Sequence, residues 1–170
     1  MKKEGYKEVE ELHGHFVRRM ESIIHKHGKV MMGWDDIQDF GGLRPTSTVV
    51  AWRSQKKGLE SIKKGQPTVM MAGEYLYLDM QYSPAERGHN WAAVIPLDRM
   101  YNYEPLQDLN LTPEEEKLML GVQAGLWTEL MQFPSRFSEY QVFPRLCALA
   151  EIGWSAKENK NYDDFYARMV

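Results

Sequence analysis

Cysteine is all but missing. Cys147 is the single one in 170 residues, which excludes an internal disulfide framework and an all-cysteine metal site. It lies in the apolar run Leu146-Cys147-Ala148-Leu149-Ala150 and reads as a small core residue. An excess of one charge is missing too. Lys and Arg number 21 against 24 Asp and Glu, for a net charge of -3 and a pI near 6.0. Without a basic field, nucleic acid is not an expected partner. No apolar run is long enough to span a membrane. The opening Met1-Lys2-Lys3-Glu4-Gly5-Tyr6-Lys7 lacks the apolar centre of a signal peptide. His13, His15, His25 and His27 have no carboxylate or Cys at metal spacing, so neither a metal nor a cofactor is expected. Repeats, low-complexity tracts and linkers are lacking.

What is present fits one globular domain with a real core: 43% hydrophobic and 26% charged residues. Five Trp and nine Tyr exceed what a core requires and hint at a stacking site. The spacing of Val9, Leu12, Phe16, Met20, Ile23 and Ile24 predicts an amphipathic helix over 7–27 with that apolar face inward, ended by Gly28. Strands are predicted at 29–33, 48–51 and 68–72, with a short helix over 55–64 before the third. Residues 80–111 lack a strong period but hold Trp91, Tyr101 and Tyr103; a loop of that length is usually functional. Thr112-Pro113-Glu114-Glu115-Glu116 is a helix start, with a cap, a first-position Pro and acids in the first turn. A helix follows over 138–154, or begins at Pro144, and a last one starts after Asn161.

In the stretch 121–130, Gly-Val-Gln-Ala-Gly-Leu-Trp-Thr-Glu-Leu, the first half reads as a buried strand and the second half ends in Trp127 and Glu129. In extended chain these two side chains point the same way. Indole and carboxylate together suit a sugar, whose ring has an apolar C–H face and hydroxyl donors. A core Trp followed by a loop Glu is the other reading.

Buried strands separated by helices indicate a parallel sheet. Each strand runs into an aromatic residue, a carboxylate or both: Trp34 with Asp35 and Asp36, then Trp52, then Tyr77 with Asp79, then Trp127 with Glu129. Ligands of parallel α/β folds gather at those carboxyl ends. Four strands cannot close an eight-strand barrel, so the sheet is open or is half of something.

Gly33-Trp34-Asp35-Asp36-Ile37, Val49-Val50-Ala51-Trp52, Tyr77-Leu78-Asp79, Trp91, the 121–129 segment, Phe143-Pro144-Arg145-Leu146 and Ala150-Glu151-Ile152-Gly153-Trp154-Ser155 resemble the C-terminal half of the catalytic barrel of glycoside hydrolase family 20, the β-N-acetylhexosaminidases, most of all the bacterial branch. The resemblance covers nearly the whole chain in the family's order. It implies the last four β/α units of a TIM (β/α)8 barrel, about four parallel strands with flanking helices, and a partial catalytic domain over 1–170 with no second domain. It implies retaining removal of terminal β-linked GlcNAc or GalNAc, in which the substrate's own acetamide is the nucleophile rather than a second carboxylate.

Carried over residue by residue, the resemblance implies that Trp34, Trp52 and Trp127 wall the pocket around the acetamido methyl and the ring. It makes Tyr77 the catalytic tyrosine whose hydroxyl holds the acetamide oxygen as it attacks. Asp79 and Glu129 would accept hydrogen bonds from ring hydroxyls, and Trp91 would line the pocket mouth. Asp36 departs from the family's common Gly-Trp-Asp-Glu and is taken to support the wall from behind. The implied ligands are N-acetylhexosamine-terminated glycans or chitooligosaccharides.

The family's His-x-Gly-Gly-Asp-Glu motif, source of the general acid and the orienting Asp, does not occur in the 170 residues. The sugar-gripping arginine also comes from an earlier strand. The chain is therefore expected to be the C-terminal part of a hexosaminidase (a truncated gene model, pseudogene or split gene), inactive alone, with the N-terminal barrel half as its partner. Periplasmic or secreted placement would follow from a signal peptide upstream of Met1. The alternatives are a non-catalytic sugar-binding module and a half-barrel interaction protein.

Overall fold

The computed structural model describes residues 5–107, 110–131 and 136–169. Residues 1–4 of the N-terminal segment and 108–109 of the long loop lie outside the described residues. Contacts divide the chain into two units: residues 5–70 with 110–120, and residues 71–107 with 121–131 and 136–169.

The first unit opens with α1 (Val9–Lys26). The Glu8 N–H donates to Glu11 at 3.0 Å, and Gly28 adopts φ 66° beyond the helix end, the left-handed conformation a helix stop favours. The helix does not pack as its sequence predicts. Val9 and Phe16 are 64% and 58% exposed, while Gly14, Val17 and Glu21 are buried. Steric room and a polar anchor choose that face. Gly14 lies where a Cβ would come within 3.0 Å of Phe40. The Glu21 carboxylate accepts from the Ser47 hydroxyl at 2.5 Å and the Arg44 N–H at 2.9 Å.

Three parallel strands follow: β1 (Met32–Trp34), β2 (Thr48–Ala51) and β3 (Thr68–Met70), paired β1 to β2 and β2 to β3. The first begins later than the apolar run 29–33 suggested, because residue 32 is the first to pair with β2. All of β2 is buried, as a central parallel strand requires. Helix α2 (Gln55–Lys63) starts at Ser54, whose hydroxyl accepts from the Lys57 N–H at 3.2 Å. Gly58 lets α2 lie close over the sheet, since a Cβ there would meet Met70 Sδ at 2.2 Å and Ala51 Cβ at 3.2 Å. The acidic turn α5 (Pro113–Glu116) forms with the expected Thr112 cap. Strand β4 (Met119–Val122) completes the order β1-β2-β3-β4.

In the second unit, α3 (Gly73–Leu76) and α4 (Leu97–Tyr101) are short helices that the sequence pattern did not announce. The stretch 138–154 is two helices, α6 (Phe137–Val142) and α7 (Arg145–Trp154), separated by the cis Phe143-Pro144 bond. Pro144 has no N–H to continue α6. The final α8 (Tyr162–Met169) packs Phe165 on Tyr101 with ring centres 4.6 Å apart, and Asn161 caps it through the Asp164 N–H at 3.1 Å. Cys147 is half-buried rather than a core residue. Among the described residues, no helix is long and apolar enough to cross a membrane.

Candidate functional site

In the first unit, β1 delivers Trp34 at its last residue, and β2 delivers Trp52 one position after Ala51. Trp34 is exposed and Trp52 half-buried. A 3-10 turn over Asp35–Gln38 places two carboxylates behind them. Asp36 Oδ2 accepts the Trp52 indole N–H at 2.8 Å. Asp35 is buried and takes a two-point grip from Arg53, from Nε at 2.6 Å and from the backbone N–H at 3.2 Å. Burial pushes the Asp35 carboxyl above its ordinary range, although the Arg53 bonds pull the other way. Arg53 also donates to Asp39 at 2.8 Å. Neither Asp35 nor Asp36 is set up as a general acid, because each is occupied by a fixed donor.

In the second unit the structure brings Tyr77, Trp91 and Trp127 together. Tyr77 is buried, meeting Trp91 edge-to-face at 5.7 Å and lying tilted against Trp127 at 6.4 Å. The Leu78 N–H donates to Gly125 O at 2.7 Å and the Gly125 N–H to Leu76 O at 3.1 Å, a parallel bridge that fixes Tyr77 beside the 121–130 stretch. Gly125 keeps this approach close: a Cβ there would come within 2.6 Å of Met71 Cε, which would have to swing aside, and 3.3 Å of the Tyr77 ring.

Asp79 follows two residues later, 3% exposed, with Oδ1 lacking a hydrogen-bond partner among the described residues. Burial raises its carboxyl above the usual range; the N–H groups of Asp79 itself and Trp127, and the charge of His89, oppose this, while Glu129 adds to it. A buried carboxylate oxygen with spare acceptor capacity is suited to a ligand hydroxyl. Trp91 is 59% exposed, on a loop held by the His89 N–H donating to Asp79 O and the Gln81 N–H donating to His89 O, both at 2.8 Å.

The strand predicted in the first half of 121–130 is corrected. Regular pairing belongs to β4 (Met119–Val122), earlier and shorter, and Leu120 in it is exposed. Trp127 and Glu129 stand beyond the strand, half-buried and exposed respectively, so strand alternation does not decide their direction. Arg145, which the sequence places only within the motif Phe143-Pro144-Arg145-Leu146 and to which it assigns no role, is fully buried at the start of α7. Among the described residues, no three His, Cys, Asp or Glu gather as a metal site.

Comparison with known proteins gives the family and the fold. The profile of "Glycosyl hydrolase family 20, catalytic domain" matches residues 1–157. A β-hexosaminidase of Porphyromonas gingivalis is 35% identical over 99% of this chain and 22% of its own length. One of Vibrio furnissii is 36% identical over 92% of this chain and 26% of its own. The crystal structure of the family 20 exo-β-N-acetylglucosaminidase of Vibrio harveyi, in complex with N-acetylglucosamine, superposes with a TM-score of 0.88 at 36% identity, covering 99% of this chain and 26% of that one. That of the Streptomyces plicatus N-acetyl-β-hexosaminidase superposes at 0.78 with 28% identity, covering 91% and 32%. The chain thus spans about a quarter of the length of the curated relatives it matches. Its four strands and flanking helices are part of a TIM barrel, and the chain belongs to glycoside hydrolase family 20.

Proposed function

We propose that this chain supplies the sugar-holding part of a β-N-acetylhexosaminidase acting on terminal β-linked GlcNAc or GalNAc of glycans or chitooligosaccharides. The observation that carries the reading is the buried Tyr77 between Trp91 and Trp127, with the unpartnered Asp79 Oδ1 two residues along. In this reading the acetamide carbonyl oxygen attacks C1 as the glycosidic C1–O bond breaks, and an oxazolinium forms. Tyr77 donates its hydroxyl hydrogen to that oxygen, and water then opens the ring with retention. Trp34, Trp52 and Trp127 pack on the acetamido methyl and sugar face, Trp91 lies toward the leaving group, and Asp79 and Glu129 accept ring hydroxyls. The proton for the leaving oxygen comes from an acid outside these 170 residues, so the chain alone is inactive.

A chimera tests this: the chain replacing its counterpart in the Vibrio furnissii β-hexosaminidase. Release of nitrophenol from a nitrophenyl N-acetylglucosaminide is expected, falling by roughly 100-fold in Tyr77→Phe. The isolated chain should release none. A folded chimera without hydrolysis, or an isolated chain with robust hydrolysis, overturns the reading.

A second reading, an interaction protein built on a half-barrel, is favoured by the exposed apolar stripe of α1 at Val9, Leu12, Phe16 and Ile23. A stable monomer in light scattering counts against it.

A further inference from the structure

Arg145 has no exposed surface, and the two terminal nitrogens of its guanidinium are spent mostly on backbone carbonyls, while Nε has no hydrogen-bond partner among the described residues. Nη1 donates to Met80 O at 2.9 Å and Ile95 O at 3.1 Å. Nη2 donates to Leu78 O, to Gln141 O at 2.9 Å and to Gln141 Oε1 at 2.8 Å. The guanidinium carbon sits 3.9 Å from the centre of the Tyr82 ring. Leu78 and Met80 are the two neighbours of Asp79. Residues 78 and 79 form a turn between the bridges at Tyr77 and Met80, and the guanidinium holds the carbonyls on either side of Asp79. The Asp79 carbonyl itself is taken by the His89 N–H. A planar fork can bridge carbonyls in this way; an ammonium, a point donor on a flexible stem, cannot hold them all in register.

We infer that Arg145 is a positioning residue of the sugar site: its guanidinium fixes the backbone on both sides of Asp79 and thereby aims the Asp79 carboxylate and the Tyr77 ring. The inference rests on the reading of Asp79 and Tyr77 as substrate contacts. It differs from simple core packing in a checkable way. A packing residue supports the fold evenly, whereas Arg145 supports the 78–95 segment selectively.

Amide hydrogen exchange on the whole 170-residue chain separates the two. In Arg145→Lys, the amides of Leu78, Gln81, His89 and Ile95 should lose protection by about tenfold or more, while the β2 amide of Val49, bonded to Pro67 O, keeps its own. Ala148→Gly, which loosens α7 without touching the guanidinium, should not single out those four amides. Gln141→Leu leaves the cation in place and removes one of its acceptors, so it should give a smaller loss at the same amides and serves if Arg145→Lys does not fold. Unchanged protection in these variants, or a loss spread evenly over the chain, overturns the inference.

The chimera adds a ligand arm. The wild type should bind N-acetylglucosamine about tenfold better than the analogue lacking the hydroxyl that Asp79 accepts, 4-deoxy or 6-deoxy, the value of one hydrogen bond to a charged acceptor. Arg145→Lys should shrink that preference toward unity. A wild type indifferent to both hydroxyls removes the reading of Asp79, while the exchange data still decide Arg145.

Discussion

The indole N–H of Trp52 is held by Asp36 Oδ2 at 2.8 Å, which ties the end of β2 to the turn after β1. Removing the acceptor frees a half-buried indole. Asp36→Ala should cost about 1 to 2 kcal/mol in urea unfolding, with a change in Trp fluorescence. Asp36→Asn keeps an acceptor and should stay within about 0.5 kcal/mol of wild type. Equal losses in both would mean that the bond does not orient the ring.

Arg53 and Asp35 form a pair of a different kind. Asp35 has no exposed side-chain surface and Arg53 is 29% exposed. Arg53→Ala should therefore destabilise by roughly 3 kcal/mol at neutral pH, because it strands a buried carboxylate. The Asp35 pKa is raised in the fold, so the folded state binds its proton more tightly than the unfolded chain does. Its penalty is absent below the unfolded pKa and grows as pH climbs through the raised one. Without Arg53 the pKa rises further. The defect of Arg53→Ala should shrink on acidification, and Asp35→Asn should rescue part of it at neutral pH.

Asp79 gives a pH signature of its own. In the proposed site its ionised form accepts the sugar hydroxyls, and burial raises its pKa. Affinity of the chimera for N-acetylglucosamine should fall, as pH is lowered, at a higher pH than an ordinary Asp would produce. Asp79→Asn should bind more weakly at neutral pH and lose that acid limb. Calorimetry across pH reads both effects; an unchanged limb in Asp79→Asn would move the titration to another group.

Gly88 lies at φ 155°, where a Cβ would come within 2.7 Å of the Gln81 backbone nitrogen and 2.8 Å of its Cα. Backbone cannot yield as a side chain tip can. Gly88→Ala should break the contact between residues 81 and 89 and release Trp91 from Tyr77. The expected result is a loss of about 1 to 3 kcal/mol with a red-shifted Trp emission. An unshifted spectrum at wild-type stability would refute the close approach.

How much of this could be read in the residues alone depends on the type of signal. The parallel strands, the helix caps at Thr112 and Asn161, and the tryptophans Trp34 and Trp52 at the ends of β1 and β2 are local patterns, and they were legible. The face on which α1 packs was not: periodicity identifies an apolar stripe, but Gly14, Val17 and Glu21 became the contact through the fit of a glycine to Phe40 and a carboxylate to Ser47. The limits of β4 were misplaced because Gly121 and Gly125 break the apolar pattern on which strand length is judged. Arg145 was hidden for the same reason that it matters. Three of its partners are carbonyls 50 to 67 residues away in sequence, and carbonyls leave no trace in side-chain chemistry.

The bare stripe of α1 has a calorimetric consequence. Val9, Leu12, Phe16 and Ile23 are wet before unfolding begins, so melting the isolated chain hydrates less new apolar surface than its length would suggest. The heat-capacity increment should fall below the usual ~12–15 cal/mol/K per residue. The stability curve should accordingly be shallow, with little gained by working in the cold.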